Sequence, residues 1–397
     1  MQTNQSTRPK PTILQLFLQF LKIGSVAFGG PAAHAGLMEQ ELVSRKKWLT
    51  HQLFLDFLGA VNLIPGPNST QMTMLVGYKL RGFAGMLATG FGFIIPAALI
   101  TGILAWLYVT YGQIPAVEGL FFGLKPAVIA VIAGAIFKLG KKALKGLWLG
   151  VLGAVTLAAT LVGLNEITAI LGAGALGMAV FTAWRHFPGR RNTDRSDIPG
   201  NSGLKSLAPF ILLNAGVTVA AQYSILKLFW VFFKIGALLF GTGYVLVAYM
   251  DGELVEKLGW LTREQLLDAI AIGQFTPGPI LSAATFVGYL LDGVPGAIVA
   301  TSGIFLPSFA FILVLYPIIP RLRRSPYTAA FLDSVNMAAV AVMLSVTILM
   351  TVEMGSDWRA AAILAAALGV VVGLKRVSSV WVILGGSLIG LILQHFS

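Results

Sequence analysis

Cysteine does not occur among the 397 residues. Its absence removes disulfides, thiolate metal sites and a cysteine nucleophile, and leaves the redox compartment undetermined. Charge is scarce too: 11% of residues are Asp, Glu, Lys or Arg, against about a quarter in a soluble domain. The four histidines show no zinc-type spacing, and neither a Gly-Lys-Ser phosphate loop nor a Gly-x-Ser-x-Gly elbow occurs. No catalytic group, metal or cofactor is expected, which disfavours a membrane enzyme. The polar stretch at residues 1–11 is followed by no small-residue cleavage site, so no removable signal peptide is expected.

What remains is apolar. Hydrophobic residues make up 56% of the chain, and mean hydropathy is +0.82. Runs at 84–111, 127–137, 147–163 and 167–184 are long or clustered enough for spans of about 20 residues. They lack strand-like alternation, and a bilayer offers no water to unpaired backbone, so helices are the expected spanning element. The expected fold is an all-α polytopic membrane protein. Its net charge of +12 sits in short clusters between apolar runs, as in cytoplasmic loops, with no basic stripe for nucleic acid. The lipid bilayer is the expected partner, and a homodimer is compatible with the sequence.

The chain states one pattern twice. Lys22-Ile23-Gly24, Phe28-Gly29, Met38, Glu41-Leu42, Trp48-Leu49-Thr50, Asp56 and Pro65-Gly66-Pro67 return as Lys234-Ile235-Gly236, Phe240-Gly241, Met250, Glu253-Leu254, Trp260-Leu261-Thr262, Asp268 and Pro277-Gly278-Pro279. The offset is 212, slips by one residue before Gly77 and Gly288, and then holds through Pro96 and Pro307. A duplicated apolar unit containing a Pro-Gly-Pro break is the pattern of a secondary transporter whose site lies at the repeat interface. The expected division is residues 1–184, a basic linker at 185–205, a connecting helix at 206–225, and residues 226–397.

Charge bias gives the orientation of the halves. The first has Lys138, Lys141, Lys142 and Lys145 where the second has Glu353 and Asp357; the second has Arg321, Arg323 and Arg324 where the first has Gly112 and Gln113. Because Lys and Arg are retained inside, the repeats are expected to be inverted about an axis in the membrane plane, with the linker cytoplasmic. The segments at 51–80 and 263–291 have arms too short to span alone. Crossing once as broken helices, they give about thirteen spans; as re-entrant hairpins, with an interfacial connecting helix, about ten. Hairpins keep Arg45-Lys46-Lys47 inside but leave Arg8 and Lys10 outside.

Two prolines around a glycine stop one helix and start another. The helices opening at Asn68 and Ile280 then aim free amides and positive dipole ends into the breaks, which makes an anion site from backbone. Asn68, Ser69, Thr70 and Gln71 add donors in the first half; Thr276, Ser282 and Gln274 do so in the second. A plain turn would explain one Pro-Gly-Pro, but not two matched ones at apolar depth. Lys22 and Lys234, each inside an apolar helix, form a candidate clamp for a dianion, and Lys125 is a third candidate, with Asn336 in its matched place. Snorkelling to the interface is the alternative for the lysines. Glu39, Glu41, Asp56, Asp251, Glu253 and Asp268 are candidates for carrying protons or pairing with the lysines, or else solvated loop and cap carboxylates. His34, replaced by Leu246 in the other half, is read as incidental.

Phe28-Gly29-Gly30-Pro31, the acidic helix through Glu39 and Glu41 to Trp48, Pro65-Gly66-Pro67 with Asn68 and Gln71, and their second copies resemble the long-chain, two-domain chromate ion transporters. The second copy departs at Thr242-Gly243, where the first has Gly30-Pro31. The resemblance covers nearly the whole chain. It implies a prokaryotic plasma-membrane protein of about thirteen spans that exports chromate and gives resistance, with proton antiport proposed for such proteins. The expected mechanism is alternating access: amides after Pro67 and Pro279 with Asn68, Ser69 and Gln71 hold the oxyanion, and Lys22, Lys234 and Lys125 offset its charge. A sulfate or other oxyanion carrier and an anion channel are the alternatives.

Overall fold

The computed structural model describes residues 11–28, 30–112, 115–186, 223–240, 243–318, 325–355, 357–374 and 377–394. Most of the expected linker and connecting helix lies outside the described residues, as do Gly29, Gly241, Thr242, Arg321, Arg323 and Arg324. The described chain is all-helical. The first half comprises α1 (Ile13–Val26), α2 (Gly30–Met38) running into a π-helical turn (Glu39–Arg45), α3 (His51–Val61), α4 (Asn68–Tyr111), α5 (Pro115–Ala143), α6 (Leu147–Leu161) and α7 (Glu166–His186). The second comprises α8 (Ile225–Leu238), α9 (Val245–Met250) with its π turn (Asp251–Lys257), α10 (Arg263–Phe275), a 3-10 turn (Ile280–Ser282), α11 (Ala283–Leu315), α12 (Pro326–Glu353), α13 (Trp358–Gly373) and α14 (Ser379–Gln394). Five segments are long and apolar enough to cross a membrane: Asn68–Tyr111, Gly119–Ala143, Glu166–Ala183, Ile280–Leu315 and Pro326–Glu353. Leu99, Ile103, Val109, Ile298, Val314 and Trp381 are exposed on the outside, as lipid-facing side chains are.

The duplication reaches down to single hydrogen bonds. Thr12 and Ser224 cap α1 and α8, and Thr50 and Thr262 cap α3 and α10, each hydroxyl accepting from a backbone amide three residues on. Such caps satisfy amides that a helix start leaves unpaired. The long helices α4 and α11 both bend sharply, at Arg81-Gly82 and Asp292-Gly293, where the glycines have φ of 62° and 56°. Beyond the bend the chain folds back until Gly77 presses on Gly85, and Gly288 on Gly296.

Small residues set the central crossings. A Cβ at Gly24 would stand 2.7 Å from Phe93 O, and one at Gly92 2.7 Å from Phe17 O, so α1 and α4 cross with backbones almost touching. Gly303 on Phe229 O and Gly236 on Ile304 O repeat this for α8 and α11. Helices in lipid gain most from such close van der Waals approach. The outer helices are exchanged between halves: α5 packs on α13 and α14, whereas α12 packs on α6 and α7. The two copies are interlocked, which fixes the position of one set of breaks against the other.

Candidate functional site

Each Pro-Gly-Pro break is bonded to the opposite half. The Gly66 amide donates to Leu239 O at 2.6 Å, and the Gly278 amide donates to Ala27 O at 2.8 Å. Ala27 and Leu239 are themselves equivalent, 212 residues apart, and both are extended residues that end α1 and α8. The glycines sit at φ of 123° and 95°, a region that side chains resist. Gly66 lies against Ser308 Oγ and the Gln71 amide, while Gly278 lies against Ala97, Gly24 O and Phe93 O. So the break of each copy rests on the close helix crossing of the other.

Beyond the breaks, α4 starts at Asn68 with Pro67 as N-cap, and the 3-10 turn starts at Ile280 with Pro279 as N-cap; neither start has a side-chain cap. One residue fewer between Pro279 and Gly288 than between Pro67 and Gly77 accompanies the tighter 3-10 start. Between the two starts is a cavity with about 30 Å³ of room for water centres, enough for about two waters. Pro67, Asn68 and Ser69 line it from the first half, and Thr276, Gly278, Pro279, Ile280 and Leu281 from the second. Gly30, Pro31, His34, Gly243, Tyr244, Gly273 and Gln274 complete the wall. Asn68 Nδ2 donates to Asn62 Oδ1 at 2.9 Å, and Thr101 Oγ1 donates to Thr276 Oγ1 at 3.0 Å across the halves. Gln71, fully buried, donates to Pro65 O at 2.5 Å and braces the first break from behind. The buried Nε2 of Gln274 has no hydrogen-bond partner, a donor that an entering oxygen would satisfy.

The sequence-predicted charges lie elsewhere. Lys22 Nζ is 4.0 Å from Glu41 Oε1, and Lys234 Nζ is 2.6 Å from Glu253 Oε1. Arg45 and Lys257, one turn on in the π segments, close the same two clusters at 2.5 and 3.6 Å. Glu39 meets His51 at 2.9 Å where Asp251 meets Arg263 at 3.0 Å, and Arg263 also reaches Glu256 and Glu353. Glu41, Asp251, Glu253 and Asp268 are thus buried side chains, not solvated caps. Lys125 pairs with Glu264 at 3.2 Å. Asp268 accepts from Tyr108 Oη at 2.9 Å, its Oδ1 is buried without a partner, and its counterpart Asp56 is half-buried. Lys22, Lys125 and Lys234 are not among the cavity-lining residues.

Comparison with known proteins agrees with this duplicated build. The model of the family described as chromate transporter matches residues 14–178 and again residues 226–391. The chain belongs to the chromate transporter family. It is 32% identical over 397 residues to the chromate transport protein of Cupriavidus metallidurans, covering 97% of this chain and 94% of that one. It is 33% identical over 333 residues to the probable chromate transport protein of Synechococcus elongatus (83% of this chain, 82% of that one) and 32% over 354 residues to the chromate transport protein of Pseudomonas aeruginosa (87% and 83%). No solved structure matches the chain.

In this chromate transporter family member, two titratable cavity residues were not assigned to the site by the sequence reading. Tyr244 precedes α9 beside the second break. His34, set aside as incidental, bridges Ala27 O and Ser69 Oγ at 3.0 Å each. His34 lies about one turn into α2, after the chain has left the helix at Ala27, so no helical register from α1 signalled its place.

Proposed function

We propose that this protein carries chromate, a tetrahedral dianion, out of the cytoplasm by alternating access of a site between its two Pro-Gly-Pro breaks. The observation that carries this reading is the reciprocal pair of hydrogen bonds, Gly66 to Leu239 and Gly278 to Ala27, which holds two uncapped helix starts around one cavity. Helix starts of this kind supply amides and positive dipole ends to an anion. The anion-facing residues are Pro67, Asn68, Ser69, Thr276, Gly278 and Pro279, with Pro65, Gly66, Gln71 and Pro277 shaping the breaks. Lys22, Lys125 and Lys234 act one layer out, balancing the carboxylates. Among the candidate coupling carboxylates Glu39, Glu41, Asp56, Asp251, Glu253 and Asp268, Asp268 is bonded across the halves, to Tyr108, and its pairing changes as the halves move.

The cavity is tight, so an anion with four oxygens enters only when the halves shift, and rocking of one copy against the other is the motion such repeats permit. An interior-negative potential favours anion exit by roughly 2.3 kcal/mol per charge per 100 mV, so an opposing proton is not obligatory. The halves, residues 1–184 and 226–397, are inverted, about ten to thirteen segments cross, and the breaks sit on broken or re-entrant helices. The linker at 185–205 is cytoplasmic and the connecting helix is 206–225, in a plasma membrane, with a homodimer as a compatible assembly.

Two measurements test this reading. Inverted vesicles containing the protein should accumulate radiolabelled chromate when their interior is positive, and excess sulfate should compete weakly; equal competition would make the protein a general oxyanion carrier, and absence of flux would sink the proposal. Because the chain has no cysteine, single cysteines at Lys141 and Asp357 can be labelled cleanly. Inversion predicts that an impermeant reagent reaches them from opposite sides, and labelling from one side defeats it.

A further inference from the structure

Among the described residues, no lysine or arginine lines this cavity to meet a dianion. Among the described residues that line it, His34 and Tyr244 are the titratable side chains, while Lys22, Lys125 and Lys234 are held in ion pairs away from it. Helix starts offer only partial charge, and a buried anion needs both donors and a compensating charge. His34 is placed to supply both. Its ring is 2% exposed and stands edge-on to Phe93, with centroids 5.6 Å apart. Nε2 faces the Ala27 carbonyl, which only accepts, so Nε2 carries a hydrogen; Nδ1 faces the Ser69 hydroxyl.

We propose that His34 is the proton site of this carrier, charged when the oxyanion is bound and neutral when the cavity is empty, so that anion and proton travel in the same direction. The inference rests on the oxyanion reading of the cavity. In the empty site Nδ1 accepts the Ser69 hydroxyl hydrogen, which directs that hydrogen away from the cavity. A proton taken from the open aqueous side turns Nδ1 into a donor to Ser69 Oγ. The hydroxyl hydrogen is then free to rotate toward a bound oxygen. One proton thus creates a positive charge and a new donor at the first helix start, and both are lost when anion and proton leave together.

The surroundings support this assignment. From α1 the ring meets Ala27, from α4 Ser69 and Phe93, and through Ala27 O it touches the Gly278 break; none of these carries charge. On the element that continues α2, Glu39 and Glu41 are held by His51, Arg45 and Lys22. From the second half the titratable group at the cavity is Tyr244. The matched position there is Leu246, so one proton and not two accompanies each anion, and one net negative charge crosses per cycle instead of two.

The test uses the purified full chain with chromate in weakly buffered, mildly alkaline solution, where free chromate is the dianion, and a pH-indicator dye. Wild-type protein should take up close to one proton per chromate bound, and its affinity should rise by about tenfold per unit fall in pH above the titration of the site. His34→Gln, and His34→Leu with the residue of the other half, should bind chromate more weakly, take up no proton and lose the pH slope. Chromate's own protonation is common to all three proteins and cancels in the comparison. Chromate binding by wild type without proton uptake, or undiminished uptake in either variant, would overturn the inference while leaving the carrier reading intact. Failure of wild type to bind chromate at any pH would instead remove the cavity reading beneath it.

Discussion

Alanine at Gly278 is expected to cut chromate flux by a factor of about ten to a hundred, and alanine at Gly66 to do the same. Both glycines hold positive φ, 95° and 123°, and an unfavourable backbone region of this kind costs a side chain about 1–3 kcal/mol. Space adds to the cost. A Cβ at Gly278 would stand 3.0 Å from Ala97 Cβ and 3.2 Å from Gly24 O, and Gly24 is itself against Phe93 O. Those neighbours cannot retreat without separating α1 from α4. At Gly66 the Cβ would meet Ser308 Oγ at 2.8 Å as well as the Gln71 amide that braces Pro65. In either variant the amide bond to Ala27 O or Leu239 O lengthens and the helix starts move out of line. The comparison is Gly172→Ala in α7, where nothing lies within 4 Å and flux should be unchanged. Flux per inserted protein in proteoliposomes decides it: undiminished transport by Gly278→Ala would show that the break need not hold this conformation.

These breaks were legible in the sequence; what they touch was not. Self-comparison at offset 212 reveals which residues are equivalent, but contact between copies depends on how they interlock. That Gly66 would meet Leu239 and Gly278 would meet Ala27 therefore had no signature. The sharp bend at Arg81-Gly82 falls between the segment read as 51–80 and the apolar run read as 84–111, so its place was legible; its geometry was not, because one glycine among many does not announce a positive φ. Lys22 and Lys234 read as a substrate clamp or as partners of the acidic residues, because cations at apolar depth need a partner; the partners are Glu41 and Glu253, brought back by the break after α1 and α8. Comparison of the halves gives no reason to place His34, matched by Leu246, in the cavity wall where the fold puts it.

Lys234→Ala should destabilise the protein far more than Lys22→Ala, although the two lysines are equivalent by sequence. The Lys234 side chain is 19% exposed and its partner Glu253 4%; its removal leaves a buried carboxylate with Lys257 at 3.6 Å. Breaking a buried pair from one side costs about 3–5 kcal/mol, so thermal unfolding in detergent should fall by roughly 5 °C or more. Lys22 is 61% exposed and 4.0 Å from Glu41, which keeps Arg45 and the Gln19 amide. A pair of that kind is worth about 0–1 kcal/mol, and Lys22→Ala should unfold close to wild type. Adding Glu253→Gln to Lys234→Ala should recover part of the loss, because the stranded charge goes with it, whereas Glu41→Gln should rescue nothing in Lys22→Ala. Equal destabilisation by the two lysine variants would mean that the clusters are equally buried in solution. An unequal result would mark the Lys22 cluster as the weaker of two matched clusters, each of which ties together segments of its own half.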